Sequence, residues 1–455
     1  QRERKEESPP SLNPLVAKCR SGDGSTAGPE QTREFGRLPE PKTGRRSFFF
    51  AESSNALSLH AMTLTEQMTE LAQRSRSAAR ELNRLTTAEK NEALLAMADA
   101  LLADADTIRE ANAKDLKTGE EMGLSKALLD RLELTDERIE GMAQGLREVA
   151  ELPDPTNRIL DERTRPTGLI LKKVAVPIGV ILIIYESRPN VTADAASLCL
   201  KSGNAVILRG GKEAIHSNQA IASIMIEAAQ QALGNFPADA IQVIPTIDRA
   251  AVPILLSLTE HIDLCMPRGG ESLIRAVTEA SRIPVIKHYK GVCHVYVDGE
   301  ADIAMASDIA VNSKCHRPGV CNAAETLLVD RAIAKDFLPL VGKALAAQQV
   351  ELRVDEDSKA ILEGADTGAQ LVAATEEDWP AEYLDLILAV RVVDGLARAV
   401  EHINKHGSGH SDSIVTANEK HARQFMDEVD SAAVYWNAST RFTDGGQFGM
   451  GAEIG

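Results

Sequence analysis

The segment Arg317-Pro-Gly-Val-Cys321-Asn-Ala-Ala-Glu-Thr326 sets one cysteine on a glycine turn directly before the apolar run Leu327-Leu328-Val329. A thiolate at a strand entrance can face a cleft and attack a carbonyl while its own backbone N–H points at the oxygen that becomes anionic. That is the arrangement acyl chemistry needs. A small, inert cysteine filling a turn has the same local sequence, because most unpaired cysteines are packing residues. Two further turns, Arg209-Gly-Gly-Lys-Glu213 and Arg268-Gly-Gly-Glu271, each join a strand-like run to a helix-like one. Backbone N–H groups at a helix start attract phosphate and glycines let it approach, although a plain strand-to-helix turn reads alike and neither turn is GxGxxG. Arg209 and Lys212 suit a 2′-phosphate, which favours NADP over NAD.

The elements that must position these residues follow from periodicity. From about Thr65 to residue 150 the pattern is helical, with Leu71, Ala78, Leu82 and Leu85 at helix-like intervals. Pro153, Pro155 and Pro166 then break it, and Ile159 to Lys173 reads as a pair of extended strands standing out from the globule. Strands and helices alternate from Val180 onward, which is the signature of a parallel sheet covered on both faces. The alternation restarts near residue 293 as a second α/β lobe, with strands at His294–Val297, Thr326–Val329, Leu386–Val393, Ser413–Thr416 and Ala433–Trp436.

Composition narrows the function. With 44% hydrophobic and 26% charged residues the 455-residue chain reads as a soluble globule of more than one lobe. Aromatics at 4% and a net charge of −17 disfavour nucleic acid as a partner. No apolar run reaches membrane-spanning length, since Pro177 and Gly179 interrupt Val174–Tyr185. Six scattered cysteines without a CxxC pair fit a reducing cytoplasm. His288, His294 and the run Glu376-Glu-Asp378 lack the spacing of a ligand set, so no metal is expected. Residues 1–61 have the composition of a disordered arm, hold 10 basic and 8 acidic residues, and are expected to be an upstream addition without catalytic role, Met62 standing just before the first good helix.

Six stretches in order give the chain a wider resemblance: Tyr185-Glu-Ser-Arg-Pro-Asn-Val-Thr192, Cys199 to Glu213, Pro267-Arg-Gly-Gly270, Cys293-His-Val-Tyr-Val-Asp298, Arg317 to Asn322, and Tyr435 to Gly449. From about residue 65 to Gly455 it resembles the aldehyde dehydrogenase superfamily, and within it the glutamate-5-semialdehyde dehydrogenase branch, also called γ-glutamyl phosphate reductases. The resemblance implies an α/β, aldehyde-dehydrogenase-like fold with a Rossmann-type cofactor domain, an α/β catalytic domain and a β-hairpin oligomerisation element. Its expected boundaries are a disordered extension over 1–61, an NADP-binding domain over 62–292 with 156–173 as the hairpin, a catalytic domain over 293–433, and a truncated C-terminal segment over 434–455.

The implied activity is NADPH-dependent reduction of L-glutamyl 5-phosphate to L-glutamate 5-semialdehyde, in L-proline biosynthesis. Cys321 is then the nucleophile that holds the acyl group as a thioester, and Asn190 the oxyanion donor, with a plain turn residue after Pro189 as the other reading. Arg209, Gly210, Gly211 and Lys212 match the stretch that holds the adenosine ribose and its phosphate, and Gly269 and Gly270 the helix start near the pyrophosphate. Glu382 matches the nicotinamide-ribose ligand, and Arg317 and Arg441 are candidates for the anionic substrate; each of the three reads equally as a structural ion pair. Lys201 and Asn204 read as packing or capping residues. Oxidising aldehyde dehydrogenases, the nearest rival reading, carry a water-activating glutamate where this chain has Lys287-His-Tyr-Lys-Gly291, and a reductase is expected to lack it. A catalytically silent nucleotide-binding scaffold is the rival from another class. A homo-oligomer is expected, with glutamate 5-kinase as a candidate partner, and no nucleic acid or membrane.

Overall fold

Two threonines open the first helices in the same way. Thr63 accepts the Glu66 N–H at 3.3 Å while the Glu66 carboxylate takes the Thr63 N–H at 2.8 Å, and Thr86 with Glu89 repeats the pattern at 3.3 and 2.7 Å. Each reciprocal cap satisfies N–H groups that a helix start leaves bare. The helices they open are α1 (Leu64–Leu82) and α2 (Thr87–Ala103), followed by α3 (Ala105–Glu121), α4 (Lys126–Leu132) and α5 (Asp136–Glu151). This computed structural model describes residues 16–19 and 62–450 apart from residues 187 and 288. The disorder expected over 1–61 therefore lies outside the described residues, except for β1 (Val16–Cys19), an unforeseen strand that pairs antiparallel with Ala433–Trp436.

Next come the antiparallel strands β2 (Ile159–Thr164) and β3 (Ile170–Val174), whose side chains are almost all exposed. A parallel sheet follows, built from β4 (Val180–Tyr185), α6 (Asn190–Lys201), β5 (Ala205–Arg209), α7 (Ile215–Ala232), β6 (Ile241–Val243), α8 (Ala251–Leu256), β7 (Leu264–Arg268) and α9 (Glu271–Ala280). Its strand order is β6-β5-β4-β7, and every residue of β4 is buried, as a strand covered on both faces requires. Helices α1, α2 and α5 share one apolar core with this sheet. Lys201 donates to Asn91 Oδ1 at 2.6 Å and to the Ala150 carbonyl at 2.8 Å, and Asn204 Oδ1 accepts the Gly179 N–H at 2.8 Å, so both residues pack and cap as expected.

The second sheet contains β8 (Cys293–Val297), α10 (Ile303–Cys315), β9 (Ala324–Asp330), α11 (Ala334–Ala347), β10 (Glu351–Val354), α12 (Glu356–Gly364), β11 (Gln370–Ala373), β12 (Ile387–Val393), α13 (Leu396–His406), β13 (Ser411–Val415), α14 (Glu419–Glu428) and β14 (Ala433–Trp436). Its order is β1-β14-β13-β8-β9-β12-β10-β11. Val295, Val297, Leu327 and Val329 enter one core, and Tyr296, Leu328, Ile414 and Val434 the opposite one, the two-residue alternation of a sheet with helices on both faces. Strands β10 and β11 and helices α11, α12 and α14 are absent from the sequence reading. The two strands are four residues each, at the sheet margin, and β11 is only partly buried or exposed throughout. No helix among the described residues is long and apolar enough to cross a membrane.

Behind this sheet, α13 presses His402, 5% exposed, between the rings of His294 and His406, with centroids 5.5 and 4.7 Å away. Burial, then the like charges of His294, His406, Arg391 and Lys405, hold the His402 pKa at about 2, against an ordinary value of 6.5. The unfolded chain protonates this group near 6.5 and the native fold does not, so its contribution to stability is present above that value and lost below it. Thermal unfolding should therefore shift down on acidification from about pH 7 to about pH 5, at up to about 1.4 kcal/mol per pH unit, and His402→Leu should flatten that part of the profile.

Candidate active site

Helix α10 ends at Cys315, the chain turns at Pro318-Gly319, and Cys321 stands half-buried ahead of β9. Its backbone rests on Gly291. A Cβ added to Gly291 would lie 2.0 Å from the Cys321 carbonyl oxygen and 2.5 Å from its Cα, so only glycine permits this approach. Glu382 fixes the arrangement by accepting the Gly291 N–H on Oε1 at 2.7 Å. The Cys293 thiol donates to the same Cys321 carbonyl at 3.2 Å, but it is fully buried, and burial pushes its pKa well above the usual thiol value. Of the two neighbouring thiols, only Cys321 is partly open to solvent.

The next residue tethers the other wall. Asn322 Nδ2 donates to the Thr443 carbonyl at 2.8 Å, its own carbonyl accepts Thr440 Oγ1 at 2.7 Å, and its Oδ1 accepts from Arg441 Nη1. These bonds bring Arg441 to the nucleophile. Burial lowers the Arg441 pKa, Arg317 lowers it further, and Asp444 and Cys321 act in the opposite sense, so the four groups share one neighbourhood.

Beneath the turn, Lys314 Nζ and Glu325 Oε2 lie 2.6 Å apart with both side chains 0% exposed. Burial raises the Glu325 pKa and lowers that of Lys314, each against the pull of its partner. Glu325 Oε1 also accepts the Leu384 N–H at 3.3 Å, and Leu384 has φ +54°, a left-handed backbone uncommon for leucine. The pair thus ties α10 and β9 to the loop carrying Glu382. Lys314→Met, which strands a buried carboxylate, should destabilise the fold by about 3–5 kcal/mol in chemical denaturation. The double variant Lys314→Met/Glu325→Leu should recover most of that loss.

On the first sheet, Arg209, Gly210, Gly211, Lys212, Ile215 and Asn218 line a cleft with Val243, Ile244 and Ile247. A Cβ on Gly210 would sit 2.1 Å from Asn218 Nδ2 and 3.1 Å from the Tyr185 ring, and Asn218 is itself fixed by Thr192 Oγ1 at 3.0 Å. Arg209 Nε is buried without a hydrogen-bond partner, and burial, against the pull of Glu213 and with the like charge of Arg249, lowers its pKa. Apolar side chains beside a guanidinium that keeps one N–H unpaired, its other nitrogens donating to the Gly210 and Ile247 carbonyls, fit the ribose and phosphate of a dinucleotide. Gly270 caps α9 and donates its N–H to Glu186 Oε2 at 3.1 Å, and a Cβ at Gly269 would lie 2.7 Å from that carboxyl. An anion therefore already occupies this helix start, as the dipole favours. Asn190 is the first residue of α6; its amide donates to Asp194 Oδ2 at 3.0 Å, which leaves the second N–H for an oxyanion.

The structure brings Cys321, Glu382, Arg317 and Arg441 together, and the Arg209–Lys212 and Gly269–Gly270 turns each stand at the end of a parallel strand. Gly291, Cys293, Asn322 and the Lys314–Glu325 pair were missed as parts of the site, although all stand within or beside the quoted motifs. Asp298, Glu300 and His421 also converge with ligand atoms within 4.8 Å. They lie at the far end of β8 from Cys293, and Thr416, Tyr296 and Asn418 already bond their carboxylates.

The sequence profile described as the Aldehyde dehydrogenase family matches residues 53–370. A γ-glutamyl phosphate reductase of Citrifermentans bemidjiense is 54% identical over 394 residues, covering 87% of this chain and 92% of the relative. One from Moorella thermoacetica is 56% identical over 383 residues, covering 84% and 90%. The crystal structure of γ-glutamyl phosphate reductase from Thermotoga maritima superposes with a TM-score of 0.81 at 45% identity, over 85% of this chain and 92% of that one. An acetylating aldehyde dehydrogenase from Geobacillus thermoglucosidasius, 21% identical with a TM-score of 0.57 and covering 86% and 89%, shares the fold.

Proposed function

The chain belongs to the aldehyde dehydrogenase family, and from that premise we propose that it reduces L-glutamyl 5-phosphate to L-glutamate 5-semialdehyde and phosphate, as a step of L-proline biosynthesis. The observation that carries the reading is a partly exposed cysteine beside two arginines, with the Glu382 carboxylate engaged by the Gly291 N–H. Cations there suit an anionic acyl donor, and the stretch Lys287 to Gly291 offers no carboxylate to activate water.

The Cys321 thiolate attacks the acyl carbon; a C–S bond forms as the C–O bond to phosphate breaks, and the electron pair leaves with phosphate. The Cys321 backbone N–H and the second amide N–H of Asn190 receive the oxygen that becomes anionic in that step. The Arg209–Lys212 turn and the α9 start would hold a nicotinamide dinucleotide, its pyrophosphate displacing the Glu186 carboxylate from the Gly270 N–H and the second Glu382 oxygen taking its nicotinamide ribose, and it would supply the hydride that reduces the thioester. Collapse of the hemithioacetal then returns Cys321 as thiolate and releases the aldehyde. Arg209 and Lys212 favour NADPH, because guanidinium and ammonium beside the ribose pair with a 2′-phosphate. The apolar side chains of the β2–β3 hairpin, Ile159, Leu160, Ile170, Leu171 and Val174, are exposed, which supports a homo-oligomer formed through it. Cytoplasm suits an enzyme whose nucleophile must stay reduced.

Two measurements test the reading. Cys321→Ser should lower phosphate-dependent NADP reduction with the semialdehyde by about a thousandfold or more, and near-parental activity would reject the assignment. Arg209→Gln should raise KM for NADP by about tenfold while moving KM for NAD little, which removes most of the preference for NADP.

A further inference from the structure

We propose that Arg188 and Arg268 form the subsite for the phosphoryl group of the acyl phosphate, while Arg441 and Asp444 take the zwitterionic amino-acid end and Arg317 stands between. This assignment rests on the reaction proposed above and specifies how its substrate lies.

Parallel strands β4 and β7 are neighbours, and their register sets Tyr185 beside Arg268. The chain leaving β4 through Glu186 to Arg188 therefore emerges next to Arg268, at the end of the sheet where α6 begins with Asn190. Arg268 Nη1 is buried without a hydrogen-bond partner. A charged donor left in that state costs more than a neutral one, and a phosphoryl oxygen would satisfy it. Arg188 is exposed to solvent, and partial desolvation and then Arg131, Arg268 and Arg317 disfavour its cation, so like charges are gathered here rather than dispersed. Asp194 answers part of that charge, but it also holds the Asn190 amide. A dianion entering the cluster relieves the repulsion among its guanidinium groups and fills the orphaned donor.

The opposite wall has a different character. Arg441 has both Asp444 and Arg317 as electrostatic neighbours, and its Nε is buried without a partner. A cation beside a carboxylate complements an α-carboxylate beside an α-ammonium, whereas Arg131, Arg188 and Arg268 outnumber Asp194 and Glu186 and complement a phosphoryl group. With the acyl carbon at Cys321, the substrate spans the two walls in one direction.

Inorganic phosphate is a substrate of the reverse reaction, which gives a direct assay with the full chain. Arg188→Gln and Arg268→Gln should each raise KM for phosphate by about tenfold or more, with KM for semialdehyde and for NADP within about threefold of the parent. Arg441→Gln should raise KM for semialdehyde instead. Arg188→Lys, which keeps charge and loses the planar fork, should still raise KM for phosphate severalfold and covers the case in which the glutamine variants fail to fold. A parent enzyme whose NADP reduction ignores phosphate would overturn the reaction and this subsite together. A phosphate-dependent parent whose Arg188 and Arg268 variants keep KM for phosphate within about twofold would overturn the subsite alone. A rise in KM for NADP in place of phosphate would give the arginines to the dinucleotide diphosphate and would also overturn it.

Discussion

The bare backbone of Gly291 lies against the backbone of Cys321, and the geometry of the reacting centre depends on that contact. No side chain separates the two segments, so the backbone that carries the nucleophile is set by direct main-chain packing. Glu382 locks one end of the contact and the Cys293 thiol the other. Asn322 then exports the constraint, since the residue after the nucleophile pins the Thr440–Thr443 turn and with it Arg441. Cleft, cation and thiol are in this sense one rigid unit.

That unit is bought with polar burial. Lys314 and Glu325 are fully buried beneath a site whose loops would pack more cheaply on apolar residues. What the pair adds is connection, because one carboxylate reaches the lysine of α10 and the backbone of the Glu382 loop together. The left-handed φ of Leu384 persists because this anchor and the strand that follows fix the chain on both sides.

The sequence disclosed these features unevenly. Continuous apolar runs such as Val180–Tyr185 are legible because a strand covered on both faces has no polar positions to blur it. Glu351–Val354 and Gln370–Ala373 are not legible, since marginal strands carry charge and solvent-facing residues that read as loop. Cys321 reads locally as a packing residue and becomes the nucleophile only through the resemblance, while Glu382 and Arg441 read equally as structural ion pairs; the fold sets the three close together. The Gly291–Cys321 contact had no local signal, because it joins segments remote in sequence through the absence of a side chain. Arg188 stands within the quoted Tyr185–Thr192 stretch but drew no role from the sequence, because its electrostatic neighbours Arg131, Arg268 and Arg317 come from three separate segments.

A cluster of arginines inside a chain of net charge −17 creates two fields of opposite sign on different length scales. Far from the surface an anionic metabolite meets repulsion, and only within roughly 8 Å, the screening distance at physiological ionic strength, do the guanidinium groups prevail. Added salt first weakens the distant barrier and only later the local attraction, so capture of the substrate passes through a maximum with ionic strength instead of falling steadily.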